Sequence, residues 1–244
     1  MSDQRIEGIA RRLAGARRAG ARIRLDDAPR DYEEGFLVQD RVVALLGEPV
    51  VGWKVIEVPG GPVVLAPLLA GGIVPAGGTW TVKGGEPAGI ELEIAFRMGR
   101  DVPAGASAAD IVASVASAHV VFELCQSRNA EPETVPRHVS LADCISNSGI
   151  VVGDEIAGWR KMVLKGVPGR LTVDGKTHAE GKSVDPIRAL EVLAPALAGR
   201  GKMLRAGHVV ITGSLIGMNW LRGRHDLRGE IDGCGAVTAT LNAA

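Results

Sequence analysis

Residues 89–101 read Gly-Ile-Glu-Leu-Glu-Ile-Ala-Phe-Arg-Met-Gly-Arg-Asp, and their apolar positions recur at every second residue. That period belongs to a β-strand. It puts Ile90, Leu92, Ile94, Phe96 and Met98 on one face, and Glu91, Glu93, Ala95 and Arg97 on the other. Two positions along a strand span roughly 6.6 Å, so Glu91 and Glu93 project side by side. Adjacent carboxylates repel unless a cation or a proton lies between them. Two readings follow. The polar face meets water, as in many half-buried strands, or the two acids are oxygen ligands for a hard divalent metal.

Composition supports a strand-rich fold. Hydrophobic residues make up 46% of the 244 and aromatic ones only 3%, so the core is aliphatic. The 33 glycines and 13 prolines imply frequent turns between short strands. The formal net charge is zero, which lacks the basic excess of a nucleic-acid-binding surface. Cys125, Cys144 and Cys234 form no C-x-x-C pair and are odd in number, so reduced, buried thiols are expected rather than a disulfide framework. The Arg-rich N-terminus is interrupted by Asp3 and Glu7 and lacks an apolar targeting core. No run approaches the ~18 apolar residues of a membrane span. A cytoplasmic protein with no membrane partner is expected.

Along the chain, helical spacing predicts helices over 3–20, capped by Ser2 or Asp3, and over 31–46, stopped by Gly47 and Pro49. These form an N-terminal helical subregion, residues 1–48, of a single domain spanning 1–244. Strands follow at 50–55, 63–65 and 79–82. Ser107–Asp110 resembles a capping box, and Ile111, Val115, Ala118 and Phe122 continue at helical spacing. That helix is expected to yield near His119 to a strand over 119–125. Asp174-Gly175 predicts a type I′ hairpin, and Pro186 opens a helix over 186–199. Val209–Ser214 reads as a buried strand ending in small polar residues. Such an end is either a plain tight turn or a place where substrate approaches the backbone.

Three further features carry chemistry. Glu123 is the one charge in the apolar run 119–125 and needs a partner, since a lone buried carboxylate is costly. Lys54 interrupts Val50–Val55; its ammonium either snorkels to the surface or faces a site. Glu91, Glu93 and Glu123 together offer three oxygen ligands, which suits Mg²⁺ or Mn²⁺. Zinc fits less well, because no His or Cys lies at zinc-ligand spacing. Glycosidase chemistry also uses paired carboxylates, but the scarcity of aromatics speaks against a sugar site. A serine hydrolase would be expected to show a G-x-S-x-G elbow, which is absent.

These stretches occur in the order of a known family. Val51-Gly52-Trp53-Lys54-Val55, the Glu91–Asp101 strand, Phe122–Arg128, Ala142-Asp143-Cys144 and Ala206–Ser214 together resemble the 2-keto-4-pentenoate hydratase / 2-oxo-3-hexenedioate decarboxylase family of the fumarylacetoacetate hydrolase superfamily. The resemblance implies an α+β fold of layered, curled β-sheets. It implies Glu91, Glu93 and Glu123 as metal ligands for Mg²⁺ or Mn²⁺, Lys54 as the active-site lysine, and Thr212, Gly213 and Ser214 as substrate-binding residues. It further implies a lyase: a hydratase adding water to a short 2-hydroxydienoate, as in aromatic meta-cleavage catabolism. Decarboxylation of a 2-oxo-3-enedioate and C–C hydrolysis of an acylpyruvate are the alternatives, and a catalytically weak metal-binding partner subunit is a further one. A homo-oligomer is expected, with pairing to a related family member as a variant. The chain departs from the family pattern after Val55, where the segment is shorter. It departs also at Gln126-Ser127-Arg128, where the family has Asp-Ser-Arg, and at Cys144, where it has Asn.

Overall fold

The computed structural model describes residues Ser2–Ala243. The chain opens with α1 (Ser2–Ala19) and α2 (Tyr32–Leu46). Asp3 lies inside the first turn of α1 rather than capping it, and the side chain of Ser2 lies outside the described atoms. Asp31 caps α2 by accepting from the Glu34 amide, and Gly47 ends it in the left-handed region at φ 71°. Next come β1 (Val50–Glu57), β2 (Val63–Leu69), β3 (Ile73–Val74), β4 (Thr79–Thr81) and β5 (Ala88–Met98). Then follow α3 (Ala108–Ala113), β6 (Val115–Cys125), α4 (Arg137–Ala142) and β7 (Asn147–Glu155). The chain closes with β8 (Pro168–Val173), β9 (Lys176–Lys182), α5 (Pro186–Gly199), β10 (Val209–Ile211), β11 (Asn219–Leu221), β12 (Gly223–Ile231) and β13 (Gly235–Ala243).

These strands form two mixed sheets. The larger runs β2-β1-β10-β5-β6-β7-β3, with β11 added to β5; the smaller runs β4-β13-β12-β8-β9. β1 pairs parallel with β10, while β5 lies antiparallel between β10 and β6. The sheets pack face to face. Ile90, Leu92, Ile94, Phe96 and Met98 enter a core shared with Leu171, Leu227 and Val237 of the smaller sheet. Gly229 permits this approach: a Cβ there would lie 2.6 Å from Leu92 Cδ1 and 2.7 Å from Phe122 Cε1. The opposite face of the larger sheet is not a water-facing one. Ala95, Val121, Ile150, Val209 and Ile211 form a second apolar cluster there, beside Glu93 and Glu123, both 0% exposed.

The expected elements are largely present, with one clear correction. The helix begun at Ser107 stops at Ala113, and β6 starts at Val115. The run Ile111, Val115, Ala118, Phe122 fits helical spacing by coincidence. Val115, Ala118 and Phe122 instead pair with Met98, Phe96 and Leu92, and a long ladder against β5 outweighs a local preference. Ser114 marks the break, its hydroxyl donating to Asp110 O at 2.7 Å and accepting from Arg100 Nε at 3.0 Å. β2 extends past its expected end to Leu69 and tolerates Pro67 because it is an edge strand. Conversely, β10 stops at Ile211, before Thr212. Asp174 and Gly175 both have positive φ, 49° and 78°, as a type I′ turn requires. All three cysteines are free and buried. Among the described residues no helix is long and apolar enough to cross a membrane.

Candidate active site

Strand register assembles the acids. Glu91 and Glu123 are direct partners across β5 and β6, and Glu93 follows two positions on. Lys54 comes from β1, aligned with Ile211 of β10, which itself lies beside Ala95 of β5. Lys54 is 5% exposed, so it does not snorkel. Its Nζ lies 2.6 Å from Glu123 Oε2 and 3.3 Å from Glu91 Oε2. Glu123 Oε1 accepts from Asn147 Nδ2 at 2.9 Å. Glu93 is held from elsewhere, its Oε2 accepting from the Gly213 amide at 2.6 Å. Gly213 has φ 111°, a conformation only glycine adopts readily, which makes its amide available to Glu93.

The charges are unbalanced. Three carboxylates share one ammonium, and burial penalises every charged form. Desolvation, joined by repulsion from Glu123 and Glu91, holds the Glu93 carboxyl well above the usual range. Glu123 is also raised by burial, although Lys54 opposes the shift. Glu91 is lowered: its burial is outweighed by Lys54 and by hydrogen bonds. For Lys54, burial alone would release the proton, but Glu123 and Glu91 outweigh it and the ammonium is held well above its ordinary range. Lys54 thus stays an ammonium in this arrangement. Glu93 Oε1 is buried without any hydrogen-bond partner. An orphaned carboxylate oxygen beside two further buried carboxylates fits a divalent cation, and Glu91, Glu93 and Glu123 are the residues that could hold it.

The cluster opens onto a pocket of about 450 Å³ whose lining includes Lys54, Glu91, Glu93, Gly213 and Ser214 together with Arg137, Ile145, Ser146, Met218 and Trp220. Of the three substrate-binding candidates, Gly213 and Ser214 line it. Thr212 does not: its buried hydroxyl donates to Ile94 O at 2.7 Å, which ties the end of β10 to β5. Ser214 Oγ donates to Gly217 O at 3.1 Å.

Two features lie outside the site residues read from the sequence. Arg128, 1% exposed, forms a buried ion pair with Asp143. It also donates to Asp143 O at 2.8 Å, Asn147 O at 3.2 Å and Ser148 Oγ at 2.8 Å. Arg128 and Asp143 both match the family pattern, while the departing Gln126 turns its side chain away to Gly20 O and Lys83 O. The Arg128–Asp143 pair braces a turn in which Cys144, Ile145 and Ser146 all take left-handed φ of 51°, 51° and 61°. Such backbone is unfavourable for a β-branched residue, and it carries Ile145 and Ser146 to the pocket wall and Asn147 to Glu123. The second feature is Cys125, two residues beyond Glu123 on the same strand, with Sγ 3.9 Å from Glu91 Oε2. The period of two that revealed Glu91 and Glu93 would have found it.

Layered, curled sheets with a few helices make a fold similar to that of solved fumarylacetoacetate hydrolase family proteins, one from Yersinia pestis giving TM-score 0.61 at 19% identity over 88% of this chain and 99% of that one. A 4-oxalocrotonate decarboxylase from Pseudomonas putida G7, solved with magnesium and adipate, superposes with TM-score 0.86 at 19% identity, covering 99% of this chain and 98% of that one. A 5-carboxymethyl-2-hydroxymuconate delta-isomerase from Mycobacterium smegmatis gives TM-score 0.58 at 15% identity, with 80% of each chain covered. In sequence the chain is similar to 2-keto-4-pentenoate hydratases. That from Burkholderia vietnamiensis is 30% identical over 157 residues, 62% of this chain and 60% of the relative. That from Paraburkholderia phymatum is 28% identical over 158 residues, 63% of this chain and again 60% of the relative. The match thus spans about three fifths of the length of these curated relatives. No protein-family model matches the chain. The likenesses agree with the family resemblance carried by the motifs.

Proposed function

We propose that the protein is a divalent-metal-dependent lyase that hydrates a short 2-hydroxydienoate, through its 2-oxo-3-enoate tautomer, to a 4-hydroxy-2-oxo acid. The observation that carries this reading is the cluster of Glu91, Glu93, Glu123 and Lys54, of which Lys54, Glu91 and Glu93 line a pocket large enough for a small acid. Bound Mg²⁺ or Mn²⁺ would act as a Lewis acid toward the carboxylate and 2-oxo oxygens of the substrate. The chain's own groups do the rest. Gly213 holds Glu93 through Oε2 and Asn147 holds Glu123 through Oε1, which leaves Glu93 Oε1 without a protein partner. Lys54 keeps its proton between two carboxylates, which suits it to anchor the substrate's anionic end or to lend that proton where negative charge develops. Ser214 offers a hydroxyl from the pocket wall. In the reaction, the hydroxyl of water bonds to C4 and a proton is delivered to C3.

Decarboxylation of a 2-oxo-3-enedioate is the second reading, and Arg137 favours it. This exposed arginine lines the same pocket and has no ion pair among the described residues, so it could take a second carboxylate. Supplying both substrates to the Mg²⁺-loaded protein separates the two. Loss of dienoate absorbance without CO₂ supports hydration, and stoichiometric CO₂ supports decarboxylation. No change with either substrate, or activity undiminished in Lys54→Ala, overturns the proposal.

A further inference from the structure

The group of ligand atoms drawn most tightly together is not the three glutamates. One atom each from Glu91, Glu123 and Cys125 lie within 4.8 Å of one another, whereas Glu93 is turned toward Gly213. Space for the thiol comes from β5. Gly89 is the cross-strand partner of Cys125, and a Cβ at Gly89 would lie 3.0 Å from Cys125 Cβ and 2.4 Å from Met218 Sδ. Glu93, on the same pocket wall, keeps Oε1 buried and without a hydrogen-bond partner. Two carboxylate oxygens and one sulfur, with Glu91 reaching the pocket, form the donor set of a borderline or soft cation, not of Mg²⁺ alone.

We propose that Cys125 joins Glu91 and Glu123 in holding a thiophilic divalent cation of the Zn²⁺, Cd²⁺ or Co²⁺ kind, making the pocket floor a mixed oxygen–sulfur centre at which soft and hard cations compete. The inference rests on the functional reading only in taking this floor as a cation site; it does not need the reaction. On binding, the Sγ–H proton leaves to solvent as the sulfur–metal bond forms, with no change in oxidation state. The cation takes over the neutralising role of the Lys54 ammonium toward Glu91 and Glu123. A soft cation seated here would exclude Mg²⁺ from the two shared carboxylates, so the centre would respond to the metal balance of its surroundings.

Co²⁺ titration of the chelator-treated full chain, followed by absorption, tests this. A near-ultraviolet thiolate-to-cobalt charge-transfer band should grow to one equivalent. It should be lost completely in Cys125→Ser and kept in Cys144→Ser and Cys234→Ser. Cys125→Ser should still bind Mn²⁺ in calorimetry, which also shows that the variant is folded. If Cys125→Ser does not fold, the Cys144→Ser/Cys234→Ser double variant, whose one thiol is Cys125, assigns the band alone. Mn²⁺ binding with no cobalt band in the native chain, or a band unchanged in Cys125→Ser, overturns the inference and leaves the carboxylate reading standing. A cobalt band without turnover of any 2-oxo acid overturns the functional reading instead. Binding of neither metal overturns both.

Discussion

Lys54 is the residue on which the site's electrostatics turn. Its ammonium is the counter-charge for two buried carboxylates, and removing one partner of a buried ion pair typically costs about 3–5 kcal/mol. Lys54→Met is therefore expected to destabilise the metal-free protein by about 3 kcal/mol, and Mn²⁺ should restore much of that by supplying the missing charge. Thermal melts with chelator and with Mn²⁺ check this; a variant that melts like the parent in chelator would contradict it. At this scale the sequence was informative about acids and poor about their partners. Glu91 and Glu93 stand out because a strand alternates, and Glu123 because it is alone in an apolar run. That Lys54 meets Glu91 across 37 residues of chain, or Arg128 meets Asp143, depends on register and loop closure, which no local pattern encodes.

Among the elements, α1 and α2 are tied through Glu34. Its carboxylate accepts from Arg30 Nε at 2.6 Å and from Arg5 NH1, on α1, at 2.7 Å. The Arg30 hydrogen bond, with help from Arg5, lowers its pKa from 4.5 to about 2. A depressed folded pKa contributes stability that is full above the unfolded value and lost as pH falls through the folded one. The Glu34 contribution is accordingly present above pH 4.5 and lost between there and about 2. Arg30 is largely in solvent, which screens the interaction. Glu34→Gln should be less stable at neutral pH, and its stability should fall less steeply between those two values in denaturant titrations at stepped pH. Equal slopes for the two proteins would contradict this. α3 and β6 show where local patterning misleads: of four apolar residues at helical spacing, Val115, Ala118 and Phe122 became strand because β5 offered a full ladder. The helices over 32–46 and 186–199 were legible because caps, stripe and stop signals agree.

For the whole molecule, the two sheets meet through Gly229, so Gly229→Ala should force Leu92 and Phe122 aside. The expected loss is about 1–3 kcal/mol, read as an earlier denaturant midpoint; an unchanged midpoint would mean that the sheets do not pack this closely. The homo-oligomer suggested by the family resemblance predicts a sedimenting mass above the 25.4 kDa of one chain, and a monomer at micromolar concentration would remove that idea. The layered sheets followed from composition and resemblance, but the left-handed turn at Cys144–Ser146 did not, because its residues are poor signals for positive φ. The fold gathers Glu91, Glu93 and Glu123 at one place, and the metal binding proposed for them can be titrated. Calorimetric titration of the chelator-treated protein with Mn²⁺ measures it most directly. One Mn²⁺ should bind the parent, and binding should be lost in a Glu91→Ala, Glu93→Ala variant. Equal binding by both proteins, or by neither, would contradict the account.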